Sequence, residues 1–236
     1  LERFVQSGDN VLEVGAGPGR FTIELARLGA RVTVGDASRV QLELNERKVR
    51  EAGFEDSVAA RSQLDILDLG AFESETFDAA VAYGGPVSYV MERADEAVAE
   101  LLRVVRRGGR VLLSVMSLVG AARKYSATTV KWARERSLDE VEELLRTGDQ
   151  TGAISANHYC HMFRWSELEA MLERHECRVV AASAANWLSV NQQEALQEIV
   201  DDPAMWQTFL RWEEEFCREP GALDGGTHII VVLEKT

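Results

Sequence analysis

The residues whose types and spacing could do chemistry begin with Val11-Leu-Glu-Val-Gly15-Ala-Gly17-Pro-Gly19-Arg20. An apolar run breaks into glycines at alternate positions. Phe21-Thr-Ile-Glu-Leu-Ala-Arg-Leu28 then places Phe21, Leu25 and Leu28 at helical spacing. The order predicts a strand, a tight loop and a helix. Gly15, Gly17 and Gly19 permit backbone angles that other residues avoid, and they let a ligand approach with no Cβ in the way. A loop that ends at a helix N-terminus offers free N–H groups to a polar or anionic group. The next strand, Arg31-Val-Thr-Val-Gly-Asp36, ends in an acid. It falls about twenty positions after the first glycine, a separation that lets a carboxylate hold a ribose in a nucleotide-binding βαβ unit.

The glycine pattern is G-x-G-x-G with Pro18 inside it, and Glu13 extends it to E-x-G-x-G-x-G. The dinucleotide fingerprint is G-x-G-x-x-G, so the spacing argues against a nicotinamide-dependent oxidoreductase. The pattern resembles the first motif of class I S-adenosylmethionine-dependent methyltransferases. The resemblance extends to Asp36, the Asp65-Ile66 pair, the Gly108-Gly109 turn and the closing strand Gly225–Glu234.

That resemblance implies S-adenosyl-L-methionine as cofactor and an α/β, doubly wound, Rossmann-like sheet. The sheet would have seven mostly parallel strands, the last inserted antiparallel between the fifth and sixth. Glu13 would bear on the cofactor's amino-acid end, and Gly15, Ala16, Gly17 and Gly19 would admit it. Asp36 would hold the ribose and Asp65 with Ile66 the adenine, and Ala37 would also contact the cofactor. Tyr83 and Gly84 match the place beside the methionine part and the transferred methyl. Taken alone, Asp65 and Ile66 also read as a turn acid beside a core residue, with Asp68 as a nearby alternative. Tyr83 also reads as a packing residue. The acid followed by a Pro-Pro-Tyr-like turn of some amino- and base-methylating relatives is lacking at Tyr83-Gly-Gly-Pro86.

Methyl transfer from a sulfonium needs an acceptor placed in line with the leaving sulfur and a site without water. A base is needed only for an acceptor that arrives protonated. Histidine titrates near neutrality, so His158 and His161 are the candidates, His158 first because it follows the Gly-containing loop and precedes the apolar Met162-Phe163. Tyr125, Tyr159 and Trp187 are candidate acceptor-lining residues. His228, at the start of a strand, reads as structural, and His175, near a helix end, as solvated. His158-Tyr-Cys160-His161 suggests a metal, but no second cluster with ligand spacing accompanies it, and no metal is expected.

The elements that must position these residues fit one domain of 236 residues, 46% of them hydrophobic. Residues 1–116 read as the cofactor-binding half, 117–164 as an inserted helical lid that binds the acceptor, and 165–236 as the half that completes the sheet. Leu1–Gln6 read as the tail of a helix whose start lies upstream. On the helix over 39–52, Val40, Leu44 and Val49 read as the buried side. Trp206, Phe209, Trp212 and Phe216 make one helical stripe that reads as core packing.

A net charge of −13 argues against a nucleic-acid partner and an anionic membrane surface. Arg103, Arg106, Arg107 and Arg110 read as a solvated helix end rather than a basic patch. No apolar run is long enough to span a bilayer. Three widely spaced cysteines favour a reducing compartment, the cytoplasm.

The function expected is methylation of oxygen or nitrogen on a small molecule. The rivals are a protein or peptide methyltransferase, whose acidic balance attracts a basic peptide, and a non-catalytic module that keeps the fold and holds a partner. The oligomeric state is not legible.

Overall fold

The computed structural model describes residues 1–135, 137–151 and 159–236. Its main sheet has seven strands. They are β1 (Asn10–Val14), β2 (Arg31–Asp36), β3 (Val58–Gln63), β4 (Phe77–Ala82), β5 (Val105–Met116), β8 (Cys177–Ala185) and β9 (His228–Lys235). Their order is β3-β2-β1-β4-β5-β9-β8, with the last strand of the chain between the fifth and the sixth of the sheet, as expected. A short antiparallel pair, β6 (Asp149–Gln150) and β7 (Cys160–His161), stands apart.

Parallel pairing of β1 with both β2 and β4 makes the carboxyl end of β1 a point where the strand order reverses. Ligands of open α/β sheets bind in the crevice at such a point. Val11, Leu12 and Val14 of β1 and Ala79, Ala80, Val81 and Ala82 of β4 are all buried. Runs this apolar suit strands covered on both faces.

The chain forms two compact units. One comprises Leu1–Ser114, Met171–Val180 and Val232–Thr236, the other Val115–Ala170 and Ala181–Val231. The first holds α1 (Arg20–Arg27), α2 (Arg39–Glu51), the single-turn α3 (Pro86–Tyr89) and α4 (Ala94–Val104). Ser38 caps α2 by accepting from Gln41 N–H.

The second unit holds α5 (Leu118–Lys124), α6 (Ser126–Glu135), α7 (Leu138–Thr147), α9 (Gln193–Ile199) and α10 (Pro203–Phe216). Ser117 caps α5 and Ser137 caps α7. Leu118, Leu144, Cys160 and Met162 form a buried cluster there, with Trp132 and Leu145 packed on it. The helix α8 (Trp165–Leu172) follows the β6–β7 pair.

Several expectations need correction. Leu1–Gln6 make one turn, closed by Phe4 and Val5 N–H donating to the Leu1 carbonyl, and no helix. The buried stripe of α2 is Leu42, Asn45 and Val49, while Val40 is 70% exposed, because it sits in the first turn on the far side of the stripe. The fifth strand starts at Val105, which pairs with Phe77, and pairing resumes at Arg110 with Ala79. Residues 106–109 make an irregularity inside the strand, where Gly108 has a φ of 73°. The stripe on α10 is not core: no residue of that helix is buried, and Trp212 and Phe216 are 52% and 46% exposed.

The four arginines all have partners. Arg103 binds Glu100, Arg106 binds Asp78, Arg107 approaches Glu75 and Arg110 binds Glu234. Among the described residues, no helix is long and apolar enough to cross a membrane.

Candidate functional site

The glycine loop leaves β1 with Gly15 and Ala16 N–H both donating to the Gly35 carbonyl of β2, at 2.8 and 3.1 Å. This ties the loop to the strand that ends in Asp36. Asp36 is 9% exposed. Its Oδ2 accepts from Gly17 N–H and its Oδ1 from Ser38 N–H, both at 2.8 Å. One carboxylate therefore braces the loop after β1 and the start of α2. Each oxygen keeps a lone pair, so the group can still accept from a pair of hydroxyls.

Two glycines of the loop do different work. Gly15, at φ 71°, lies against Pro86, and a Cβ there would meet the Pro86 ring at 3.0 Å. Gly17, at φ 52°, would put a Cβ into open space. Its requirement is the left-handed backbone and the room above it, which a ligand can use.

Behind the loop lies a buried polar chain. Glu13 is 2% exposed, and its Oε2 accepts from the Thr22 hydroxyl at 2.5 Å. Asn45 Nδ2 donates to Thr22 Oγ1 at 2.8 Å, and Arg61 Nε donates to Asn45 Oδ1 at 3.2 Å. Arg61 is held by both oxygens of Glu55. Glu13 Oε1 is buried and has no partner among the described residues. Burial pushes the Glu13 carboxyl up to about 8, against the hydrogen bond from Thr22. A buried polar oxygen without a partner costs free energy, whether or not it carries the proton. A ligand ammonium would remove that cost, so Glu13, Gly17 and Asp36 together suit a ligand with a diol and a cationic amine.

The other expected positions lie in the same unit. Ala37 is exposed, and its carbonyl accepts from Gln63 Nε2. Asp65 is exposed and opens a tight turn, its Oδ1 accepting from Leu67 N–H at 2.9 Å. Ile66 is buried. Gly84 N–H donates to Ser114 Oγ at 3.0 Å, and a Cβ on Gly84 would meet nothing. Tyr83 packs edge-on against Phe21 of α1 at 5.1 Å, and burial pushes its hydroxyl up to about 12.

Thr22, Asn45 and Ser114 were missed in the sequence. Asn45 had a signal: it is a polar residue on the apolar stripe of a helix, where a buried partner is required. Thr22 follows the glycine loop by helical spacing alone. Ser114 sits in an apolar strand and carries no local signal.

The second unit holds His161 and His228. His158 lies outside the described residues. His161 has both ring nitrogens engaged: Nδ1 with Asp149 Oδ1 at 2.6 Å and Nε2 with Glu167 Oε1 at 2.7 Å. Burial opposes its charge, but the two carboxylates outweigh it and its pKa is raised. In this arrangement the ring has no free lone pair.

His228 lines a cavity of about 500 Å³, walled by Met116, Leu118, Trp132, Leu145 and Met162. Burial, and then Lys124, lower its pKa, so the ring is neutral at pH 7. Tyr125 also lines this cavity, whereas Tyr159 is exposed. Trp187 packs under the Arg123 guanidinium at 4.3 Å. His175, in the first unit, is not solvated but bonded to Asp95 at 3.1 Å. Among the described residues, no group of three potential ligands could hold a metal ion.

The chain is similar to known proteins over the stretch that carries the glycine loop and Asp36. A family model described as a methyltransferase domain matches residues 11–109, from the start of β1 to the irregularity in β5. The chain is 31% identical over 143 residues to the methyltransferase GfsG of Streptomyces halstedii, covering 58% of this chain and 50% of that one. It spans about half the length of the curated relatives it matches.

Among solved structures, a SAM-dependent methyltransferase from Methanosarcina mazei superposes with a TM-score of 0.63. That match is 15% identical and covers 99% of this chain and 95% of that one. A geranyl diphosphate methyltransferase in complex with SAM gives 0.60 at 17% identity, covering 98% and 80%. These two likenesses are of fold.

Proposed function

We propose, for a chain that belongs to the class I S-adenosylmethionine-dependent methyltransferase family, that it transfers a methyl group from S-adenosyl-L-methionine to an oxygen or nitrogen of a small molecule. The observation that carries this reading is the Asp36 carboxylate folded under the glycine loop with a lone pair left on each oxygen. Asp36 would hold the ribose hydroxyls, Asp65 and Ile66 the adenine, and Glu13 Oε1 the ammonium of the amino-acid end. Gly15, Ala16, Gly17, Gly19 and Ala37 would line the path, with Tyr83 and Gly84 toward the methionine part. The bound cofactor supplies a methyl already activated by a positive sulfur.

The chain's own residues then have three tasks: to orient the acceptor lone pair, to exclude water and, for a protonated acceptor, to take a proton. The concave, mostly apolar cavity of the second unit, about 500 Å³, supports a small acceptor over a protein segment. Residues 117–164 would be the acceptor-binding lid. A base is sought best among neutral histidines. His228 meets that condition, whereas the two acids beside His161 raise its pKa and engage both ring nitrogens.

Calorimetry with S-adenosylhomocysteine tests the reading. One site per chain is expected, followed by transfer of labelled methyl to a panel of phenols, amines and carboxylic acids. Absence of binding heat, or an absorbance change with a reduced nicotinamide instead, would overturn it. Binding without turnover across the panel would favour the non-catalytic module.

A further inference from the structure

The cavity of the second unit is apolar over most of its wall, and Lys124, Thr128, Thr129, Gln150, Thr227 and His228 make its polar lining. Met116, Leu118, Trp132, Leu145 and Met162 supply hydrocarbon and aromatic surface. Lys124 and His228 both line it, from the last residue of α5 and the first of β9. Lys124 is half-buried, and among the described residues no carboxylate pairs with its ammonium, whose recorded neighbour is the Tyr125 ring at 5.2 Å. In a chain of net charge −13, this is a positive charge on the cavity wall with no carboxylate paired to it among the described residues. His228 Nδ1 meets the Thr227 hydroxyl at 3.2 Å, and among the described residues Nε2 has no partner.

A cation and a neutral imidazole on one apolar cavity complement a single kind of group. An oxygen anion pairs with the ammonium and accepts from an imidazole N–H, and an un-ionised phenol or enol O–H donates to the imidazole's bare nitrogen. A cationic ligand would meet like charge there. A wholly neutral hydrocarbon would leave both groups desolvated without gain.

We infer that this cavity takes a largely hydrocarbon ligand with one acidic oxygen group, a carboxylate, phenol or enol, and that Lys124 and His228 read that group. Calling this ligand the methyl acceptor rests on the function proposed above. The binding preference itself does not.

Two fluorescent probes with the same aromatic body separate charge from burial: anionic 1-anilinonaphthalene-8-sulfonate and neutral N-phenyl-1-naphthylamine. The full chain should bind the sulfonate about tenfold more tightly than the amine, and less so at high salt. K124Q should remove about tenfold of sulfonate affinity and leave the amine within about twofold. K124M gives a second reading should K124Q melt early. T128W, which fills the cavity from α6, should weaken both probes.

Equal affinities for the two probes overturn the inference. So does a Lys124 variant that moves both alike, or a T128W variant that moves neither, which would place the probes on exposed surface such as α10. S-adenosylhomocysteine calorimetry on the same samples keeps the two ideas apart. Anion selection without cofactor binding sinks the methyltransferase reading alone, and cofactor binding without anion selection sinks this one alone.

Discussion

Asp36 carries the most at the scale of single residues, because one carboxylate ties Gly17 and Ser38 together and still has lone pairs for a ligand. Asp36→Ala should weaken S-adenosylhomocysteine binding by about 1.5–3 kcal/mol, the range for a hydrogen bond to a charged group, as read by calorimetry. An unchanged affinity would remove the ribose assignment. Glu13 makes a different prediction. Its carboxyl, pushed up to about 8 by burial, is mostly protonated at pH 7 in the free protein. A cationic amine beside it would favour the carboxylate, so cofactor binding at pH 7 should release up to about one proton. Binding heats in buffers of different ionisation enthalpy measure this. Glu13→Gln should abolish the release, and equal release by the variant would remove Glu13 from the site. Glu13 was legible as an acid before the glycines. Its dependence on Thr22 and Asn45 was not, because hydrogen bonds across three elements leave no mark in local spacing.

The element that invites a test is the β6–β7 pair, joined by Asp149 and His161 and anchored to Glu167 at the start of α8. The His161 pKa is raised in the folded chain. Its contribution is therefore complete below the unfolded value of about 6.5 and is lost as pH rises through the folded value. Urea midpoints should fall from pH 6 toward pH 9 for the wild type, relative to His161→Gln, whose curve should lack that component. Parallel curves would show that the clamp adds nothing. Elements were legible wherever periodicity was strong, as in α1, β4 and α4. The α2 stripe was misread because Val40 and Leu44 are apolar, yet the buried arc carries Leu42, Asn45 and Val49, with Asn45 reaching Thr22 of α1. Apolar residues on a helix do not by themselves say which arc is buried.

For the whole molecule, binding to the folded state alone must raise stability by mass action. S-adenosylhomocysteine at a hundred times its Kd should add about 2.7 kcal/mol, seen as a higher urea midpoint with an unchanged slope. No shift would mean that the first unit is not a cofactor site. The exposed face of α10, with Met205, Trp212 and Phe216 open to solvent, escaped the sequence reading for a general reason. An amphipathic stripe reports that a helix has an apolar side, not that the same chain covers it.

The sequence by itself determined the sheet class, the loop that follows β1, and the acids at 13 and 36. These are set by contacts between residues close in the chain and by backbone angles that glycine alone tolerates freely. Only the tertiary structure decided that His161 is locked between Asp149 and Glu167. It alone showed that Lys124 and His228, a hundred residues apart, line one cavity, and that Glu13 keeps a buried oxygen without a donor. Those facts depend on which distant side chains share a volume and how much water is left among them. Residue type and spacing do not encode either quantity locally.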